Sequence, residues 1–124
     1  IICATLAPLS TKELLEDAEL RARSRKFGGL ALKSLLKQPT PQGFMNASYE
    51  FSKALELLDD ELRALIEAAK SAGAIGASMV MLGKAVFALV KAPELERVKH
   101  AFLELVDPNA ILTADFDLTG ARLV

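Results

Sequence analysis

From Gly73 to Leu89 the chain reads Gly-Ala-Ile-Gly-Ala-Ser-Met-Val-Met-Leu-Gly-Lys-Ala-Val-Phe-Ala-Leu, and this run leaves few folds open. Two spaced glycines open it, small and apolar residues follow, and a third glycine precedes a β-forming exit. Residues 77–81 and 84–90 each have the length and composition of a strand. Only Leu82 and Gly83 lie between them, a joint so short that the strands must be antiparallel neighbours. Gly76 and Gly83 read as points of close approach or turning, and Met79 and Met81 as core filling.

Helices surround this pair. Residues 1–6 are apolar or β-branched and read as a buried strand, ended by Pro8. Ser10 stands three residues before Glu13, the spacing of a reciprocal helix cap. The helix it predicts carries Leu14, Leu15, Ala18, Ala22 and Phe27 as its apolar stripe. Gly28-Gly29 should weaken or break it, at about 1 kcal/mol each against alanine; residues 30–36 resume the pattern. Thr40 and Pro41 suit the cap and first position of a second helix. Its expected buried face is Phe44, Ala47, Phe51, Leu55 and Leu58. Asp59 or Asp60 caps a third helix, with Leu62, Leu65, Ile66 and Ala69 inward and Gly73 as its stop.

Pro93 opens another helix, with Leu95, Val98, Phe102 and Leu105 on one side. Asp107-Pro108-Asn109 is a turn. Residues 111–118 alternate as a strand whose packed face is Leu112, Ala114, Phe116 and Leu118. Gly120 turns the chain into a short last strand at 121–124. This order predicts an α+β fold, a small antiparallel sheet covered by helices.

Composition narrows the function. An apolar fraction of 52% over 124 residues suits one packed domain. Fifteen basic residues against sixteen acidic ones leave no basic footprint for nucleic acid. The local cluster Arg21, Arg23, Arg25 and Lys26 reads as a solvated helix face. Cys3 is the sole cysteine, without a disulfide or metal-ligand partner, in keeping with a reducing cytoplasm. No apolar run reaches the ~18 residues of a membrane span. His100 reads as a surface histidine. No carboxylate pair has a setting for acid–base work, Asp115 and Asp117 included, so neither a catalytic base nor a metal site is assigned.

The run from Gly73 resembles the third motif of the GHMP kinases: a small-residue approach, a Gly-rich turn and a strand ending Val86-Phe87-Ala88-Leu89. Where homoserine kinases carry Ser-Gly-Ser-Gly-Pro, this chain has Val80-Met81-Leu82-Gly83-Lys84, which resembles the archaeal pantoate kinase branch. Ser10-Thr11-Lys12 after an apolar run, Lys37-Gln-Pro-Thr40, Phe44-Met45, Ser52, Leu57-Leu58 and Asp117-Leu-Thr-Gly-Ala-Arg122 follow in the order of that branch. The resemblance implies a ferredoxin-like C-terminal kinase domain over residues 1–124.

It further implies transfer of the γ-phosphoryl group of ATP, with Mg²⁺, to pantoate in coenzyme A synthesis, in the cytoplasm. The family's ATP loop, Pro-x-x-x-Gly-Leu-Gly-Ser-Ser-Ala, does not occur here. ATP and Mg²⁺ are therefore expected mainly on an N-terminal kinase half, which would be this chain's partner along with the small-molecule substrate; a homodimer stays open, and neither nucleic acid nor membrane is expected. Ser10, Thr11 and Lys12 are the candidate substrate-binding residues, by hydroxyls and a helix N-terminus suited to a carboxylate or phosphate, against the plain alternative of a helix cap. Gly76, Ser78, Met81, Leu82, Gly83 and Lys84 are the candidate cleft lining, against the alternative of close packing. Lys84 would reach a phosphate or be an exposed strand lysine. Another GHMP kinase, or a non-catalytic interaction or regulatory domain of the same fold, remains as an alternative function.

Overall fold

The computed structural model describes residues 1–8, 12, 16–81 and 83–122. Their elements run β1 (Ile2–Ala7), α1 (Ala18–Lys37), α2 (Pro41–Ala54), α3 (Asp60–Ser71), β2 (Gly76–Met79), β3 (Lys84–Leu89), α4 (Leu95–Leu103) and β4 (Ile111–Thr113). Single 3₁₀ turns at Ala92–Glu94 and Pro108–Ala110 lead into α4 and β4. The strands form one antiparallel sheet in the order β2-β3-β1-β4. The α+β expectation holds. No helix among the described residues is long and apolar enough to cross a membrane.

Register divides the sheet into two faces, because side chains alternate along a strand. One face carries Ala77 and Met79, Val86 and Ala88, Ile2 and Ala4, and Ile111, since these stand opposite one another across the three pairings. It is the core face. Leu62, Leu65, Ile66 and Ala69 of α3 and Val98 and Phe102 of α4 are buried against it. The other face carries Gly76 and Ser78, Phe87 and Leu89, Cys3, and Leu112. Among the described residues, the β2 end of this second face is the part closely covered, by α2. Ile1 extends the β1–β4 ladder: its amine donates to the Ala114 carbonyl (2.9 Å) and its carbonyl accepts from Ala114 N–H (3.0 Å).

Local chemistry sets the helix ends. Thr40 Oγ1 accepts from Gly43 N–H at 3.0 Å, with Pro41 in the first turn, as expected. Asp59, the nearer of the two expected acids, caps α3 through Leu62 N–H at 2.9 Å. Gly73 follows the α3 C-cap with φ +101°, a conformation that side chains with a Cβ rarely adopt. The expected cap pair Ser10 and Glu13, and Leu14 and Leu15 with it, lie outside the described residues. Asp17 starts α1 instead, in an extended conformation, accepting from Glu19 and Leu20 N–H. A helix running unbroken from Ser10 to Phe27 is thereby corrected.

Further expectations are corrected. The α1 stripe is misplaced: Ala18 and Ala22 are exposed, Phe27 is half-buried, and Leu20 is the buried residue of α1. Gly28-Gly29 does not break the helix. α1 lies along α2, and an added Cβ at Gly28 would stand 3.7 Å from the Phe51 ring, so packing between the helices offsets the propensity cost. In α2 the core-facing residues are Met45 and Ser52, followed by Leu55 just past its end; Phe44 is exposed and Ala47 and Phe51 face α1. Past Thr113 there is no strand, Ala121 and Arg122 are not in one either, and Leu123 and Val124 lie outside the described residues. The alternation of β4 is real but inverted: pairing with Ala4 turns Ile111 inward and leaves Leu112 outward. Leu105, expected inward on α4, is also exposed.

α1 and α2 are clamped at one end by Arg23, which donates to the Ala54 carbonyl at 2.7 Å and pairs with Glu56 at 3.0 Å. Glu56 sits at φ 59°, uncommon for a residue with a Cβ. The basic cluster thus gives one interhelical tie at Arg23, with Arg25 and Lys26 exposed as a solvated face.

α2 reaches the sheet through Gly76. A Cβ built there would lie 2.4 Å from Met45 Cβ, too close to be relieved by a side-chain rotation alone. Gly29 is the opposite case, with nothing within 4 Å of an added Cβ. Gly76→Ala is expected to destabilise the fold by about 1–3 kcal/mol, the cost of overpacking, and Gly29→Ala to stabilise it by about 1 kcal/mol. Thermal melts of the two variants beside the parent check both signs; equal melting points would remove the close approach as a constraint.

Candidate functional site

The end of β1 and the start of β3 meet at one end of the sheet. Ala7, the last residue of β1, stands opposite Lys84, the first of β3, after a register irregularity between Thr5 and Ala7. The chain therefore leaves β1 through Pro8 beside the turn that joins β2 to β3. Ser10 and Thr11 lie outside the described residues. Lys12 is helical and exposed.

The β2–β3 turn is held by backbone bonds. Val80 N–H donates to the Ala85 carbonyl, Gly83 N–H to the Val80 carbonyl and Ala85 N–H to the Gly83 carbonyl, each at 2.8 Å. Met81 is 40% exposed, so it is not the core filling expected of it. Leu82 lies outside the described residues. At Gly83 an added Cβ would meet only the Val80 carbonyl, at 3.8 Å.

Gly76 and Ser78 lie elsewhere. Both point under α2 and are buried. Ser52 Oγ donates to the Ser48 carbonyl at 3.0 Å and lies 3.2 Å from Ser78 Oγ. A hydroxyl has one proton, so Ser78 is the donor to Ser52. Two buried hydroxyls are thereby satisfied at the α2–β2 contact. Of the six motif residues, Met81, Gly83 and Lys84 are at the sheet end, whereas Gly76 and Ser78 serve the interior.

Lys84 is not a free strand lysine. Its ammonium lies 3.1 Å from Asp59 Oδ2 and is also bonded to Glu61. The Glu61 and Asp59 carboxylates raise the Lys84 pKa above its ordinary value. The Asp59 carboxyl is held below the usual carboxylate range, first by Leu62 N–H and then, against some burial, by Lys84. A single carboxylate therefore caps α3 and anchors the start of β3.

Other candidate polar groups among the described residues lie elsewhere. His100 is exposed on α4, and Asp117 accepts from Thr119 N–H and pairs with Arg122 at 2.6 Å. Burial raises the Cys3 thiol pKa. Among the described residues no group of three or more His, Cys, Asp or Glu could hold a metal. A hollow of about 610 Å³ runs between the α1–α2 corner and the second face of the sheet, past Leu36, Phe44, Phe87, Leu89 and Phe116. Among the described residues no charged one lines it. Sequence reasoning missed this feature because it assigned Phe44 and Phe116 to packed faces.

The Asp59 shift fixes the sign of a pH effect. Its folded pKa lies below the unfolded value of about 3.9, so its stabilisation is present above that value and is lost as pH falls through the folded one. Asp59→Asn keeps a cap acceptor but has no charge to lose. Between pH 6 and pH 3 the melting temperature of the parent is expected to fall further than that of Asp59→Asn; parallel slopes would refute the coupling.

The fold agrees with known proteins. Residues 31–107 match the family described as "GHMP kinases C terminal". The chain is 32% identical over 111 residues to a pantoate kinase of Thermococcus kodakarensis, covering 90% of this chain and 37% of that protein. It is 32% identical over 96 residues to a pantoate kinase of Methanocaldococcus jannaschii, covering 77% of this chain and 35% of that protein. A solved structure titled "Phosphotransferase related to CoA biosynthesis pathway" superposes with a TM-score of 0.72 at 30% identity, over 83% of this chain and 33% of that one. The chain thus spans little more than a third of the length of the curated relatives it matches. It belongs to the GHMP kinase family and corresponds to the C-terminal domain of its members.

Proposed function

We propose that this chain is the C-terminal domain of an ATP-dependent pantoate kinase acting in coenzyme A biosynthesis. The observation that carries the reading is the match to two pantoate kinases, one of them over 90% of the chain. The CoA-pathway title of the structural neighbour supports it. In the reaction the pantoate hydroxyl oxygen bonds to the γ-phosphorus of ATP, the bond to the β-phosphate oxygen breaks, the hydroxyl proton is lost and ADP departs. Such transfers depend on positioning and electrostatic stabilisation.

The family's ATP loop does not occur in this sequence, and Lys84 is engaged by two carboxylates. ATP and Mg²⁺ are accordingly assigned to the remainder of the enzyme, and no step is routed through residues of this chain. Its part is to shape the acceptor side of the cleft. Lys84 at the start of β3 pairs with Ala7 at the end of β1, and the hydroxyls of Ser10 and Thr11, with a helix N-terminus there, would suit the pantoate carboxylate. The partners of the domain are then its N-terminal kinase half and the substrate, in the cytoplasm.

The 124 residues alone are expected to bind Mg-ATP no tighter than millimolar. Calorimetry decides, and a micromolar dissociation constant would overturn the assignment of the nucleotide site to the remainder. A second test separates site from scaffold. There is room at Gly83 within this domain, so Gly83→Val in a complete kinase carrying it should leave the melting temperature nearly unchanged. If the turn abuts the nucleotide-binding half, turnover per folded molecule falls at least about tenfold, equivalent to roughly 1.4 kcal/mol in the barrier. Normal turnover would return the turn to a purely structural role.

A further inference from the structure

The sheet has one sealed face and one largely open one, and the open face is apolar along its length. Its floor is Phe87 and Leu89 of β3, beside Cys3 of β1 and Leu112 of β4. Its rims are Leu36 and Phe44 on the helical side and Phe116 beyond β4. Leu36 is 70% exposed, Leu112 66% and Phe116 64%. A second hollow of about 400 Å³ shares Phe44 and Phe87 with the first and extends to Met79, Val80 and Met81. The two make one continuous surface from Phe116 to the β2–β3 turn, and among the described residues no charged one lines either of them.

Exposed apolar surfaces of this extent on soluble domains mark contact sites. An uncharged floor selects against a transient, charge-steered partner and for a permanent one, since obligate interfaces resemble a core cut in two. Most of the length of each pantoate kinase relative has no counterpart in this chain. The surface also ends at the turn that the kinase reading sets against the nucleotide-binding half. We infer that the open sheet face, from Phe116 through Phe44 and Phe87 to Met81, is the seat of the N-terminal half of the kinase. The inference rests on the proposed function, and it adds which face is buried between the halves. Seating there would cover Cys3 and the Met81 side of the turn together, so closure of the cleft and burial of the apolar face would be one event.

Thiol labelling tests it. In a Cys3→Ser background, single cysteines replace Leu36 and Phe116 on the open face and Glu96 on α4, whose side of the sheet is already sealed. The probe is the part of the Thermococcus kodakarensis pantoate kinase outside its matched segment, made as a separate polypeptide and also fused ahead of Ile1 through a Gly/Ser linker. Leu36→Cys and Phe116→Cys are expected to react with a maleimide at least tenfold more slowly with the probe than without it, and Glu96→Cys at an unchanged rate. No protection of the first two in either format overturns the inference. Protection that appears without the probe and vanishes on dilution also overturns it, because a second copy then covers the face. Pantoate phosphorylation assayed on the same samples keeps the two readings apart. Protection without phosphorylation leaves the docking face and removes the kinase reading; phosphorylation without protection does the reverse.

Discussion

Parity along β1 and β3 decides which of two environments a residue meets, and most of the domain follows from that. Ile2, Ala4, Val86 and Ala88 face α3 and α4 and are buried. Cys3, Phe87 and Leu89 alternate with them and face a surface only partly covered. A slip of one residue in the β1–β3 register would exchange these sets, sending the core residues outward. The register also sets the Ala7–Lys84 pairing, and with it the end of the sheet at which the chain leaves β1. Fold and candidate site therefore share one cause.

α2 is the second determinant, and it acts through absence of bulk. Gly76 lets the Met45 backbone lie against β2, and the Ser52–Ser78 hydroxyl pair fits only at that separation. Hydroxyls buried in an apolar contact cost stability when unpaired, so the pair resists sliding of the helix along the strand. α1 then rests on α2 rather than on the sheet, which explains why a 20-residue helix buries so little of itself.

What could be read from the sequence was local. Thr40-Pro41, Asp59, Gly73 and the inner face of α3 are fixed by neighbours within a few positions, and the structure agrees at each. The β2–β3 pair was legible for the same reason. Errors arose where a distant partner decides. Alternation in residues 111–118 gives spacing but not sense; the sense comes from Ala4, more than a hundred residues away in sequence. Phe44 and Phe51 keep helical periodicity, yet α1 and the sheet compete for α2, and only tertiary packing says which side each receives. At the candidate site, the resemblance located the turn, but neither the burial of Ser78 nor the double engagement of Lys84 has a local signature. Glu61 lies 23 residues before Lys84, and no short-range pattern joins them.

The carboxylate of Asp59 serves two elements at once, and this bears on motion. Fraying of the first turn of α3 would release its hold on the ammonium of Lys84, and displacement of the β2–β3 turn would strip the helix of part of its capping environment. Elements tied in this way open together and share one free energy of local unfolding. Amide exchange at Leu62 and at Gly83 would then report a single opening event. A turn between two strands is ordinarily among the first parts of a domain to loosen, whereas this one is tied through Asp59 to the start of a core helix. The shape of the turn is thus coupled to the core through that one carboxylate and is not set by the turn alone.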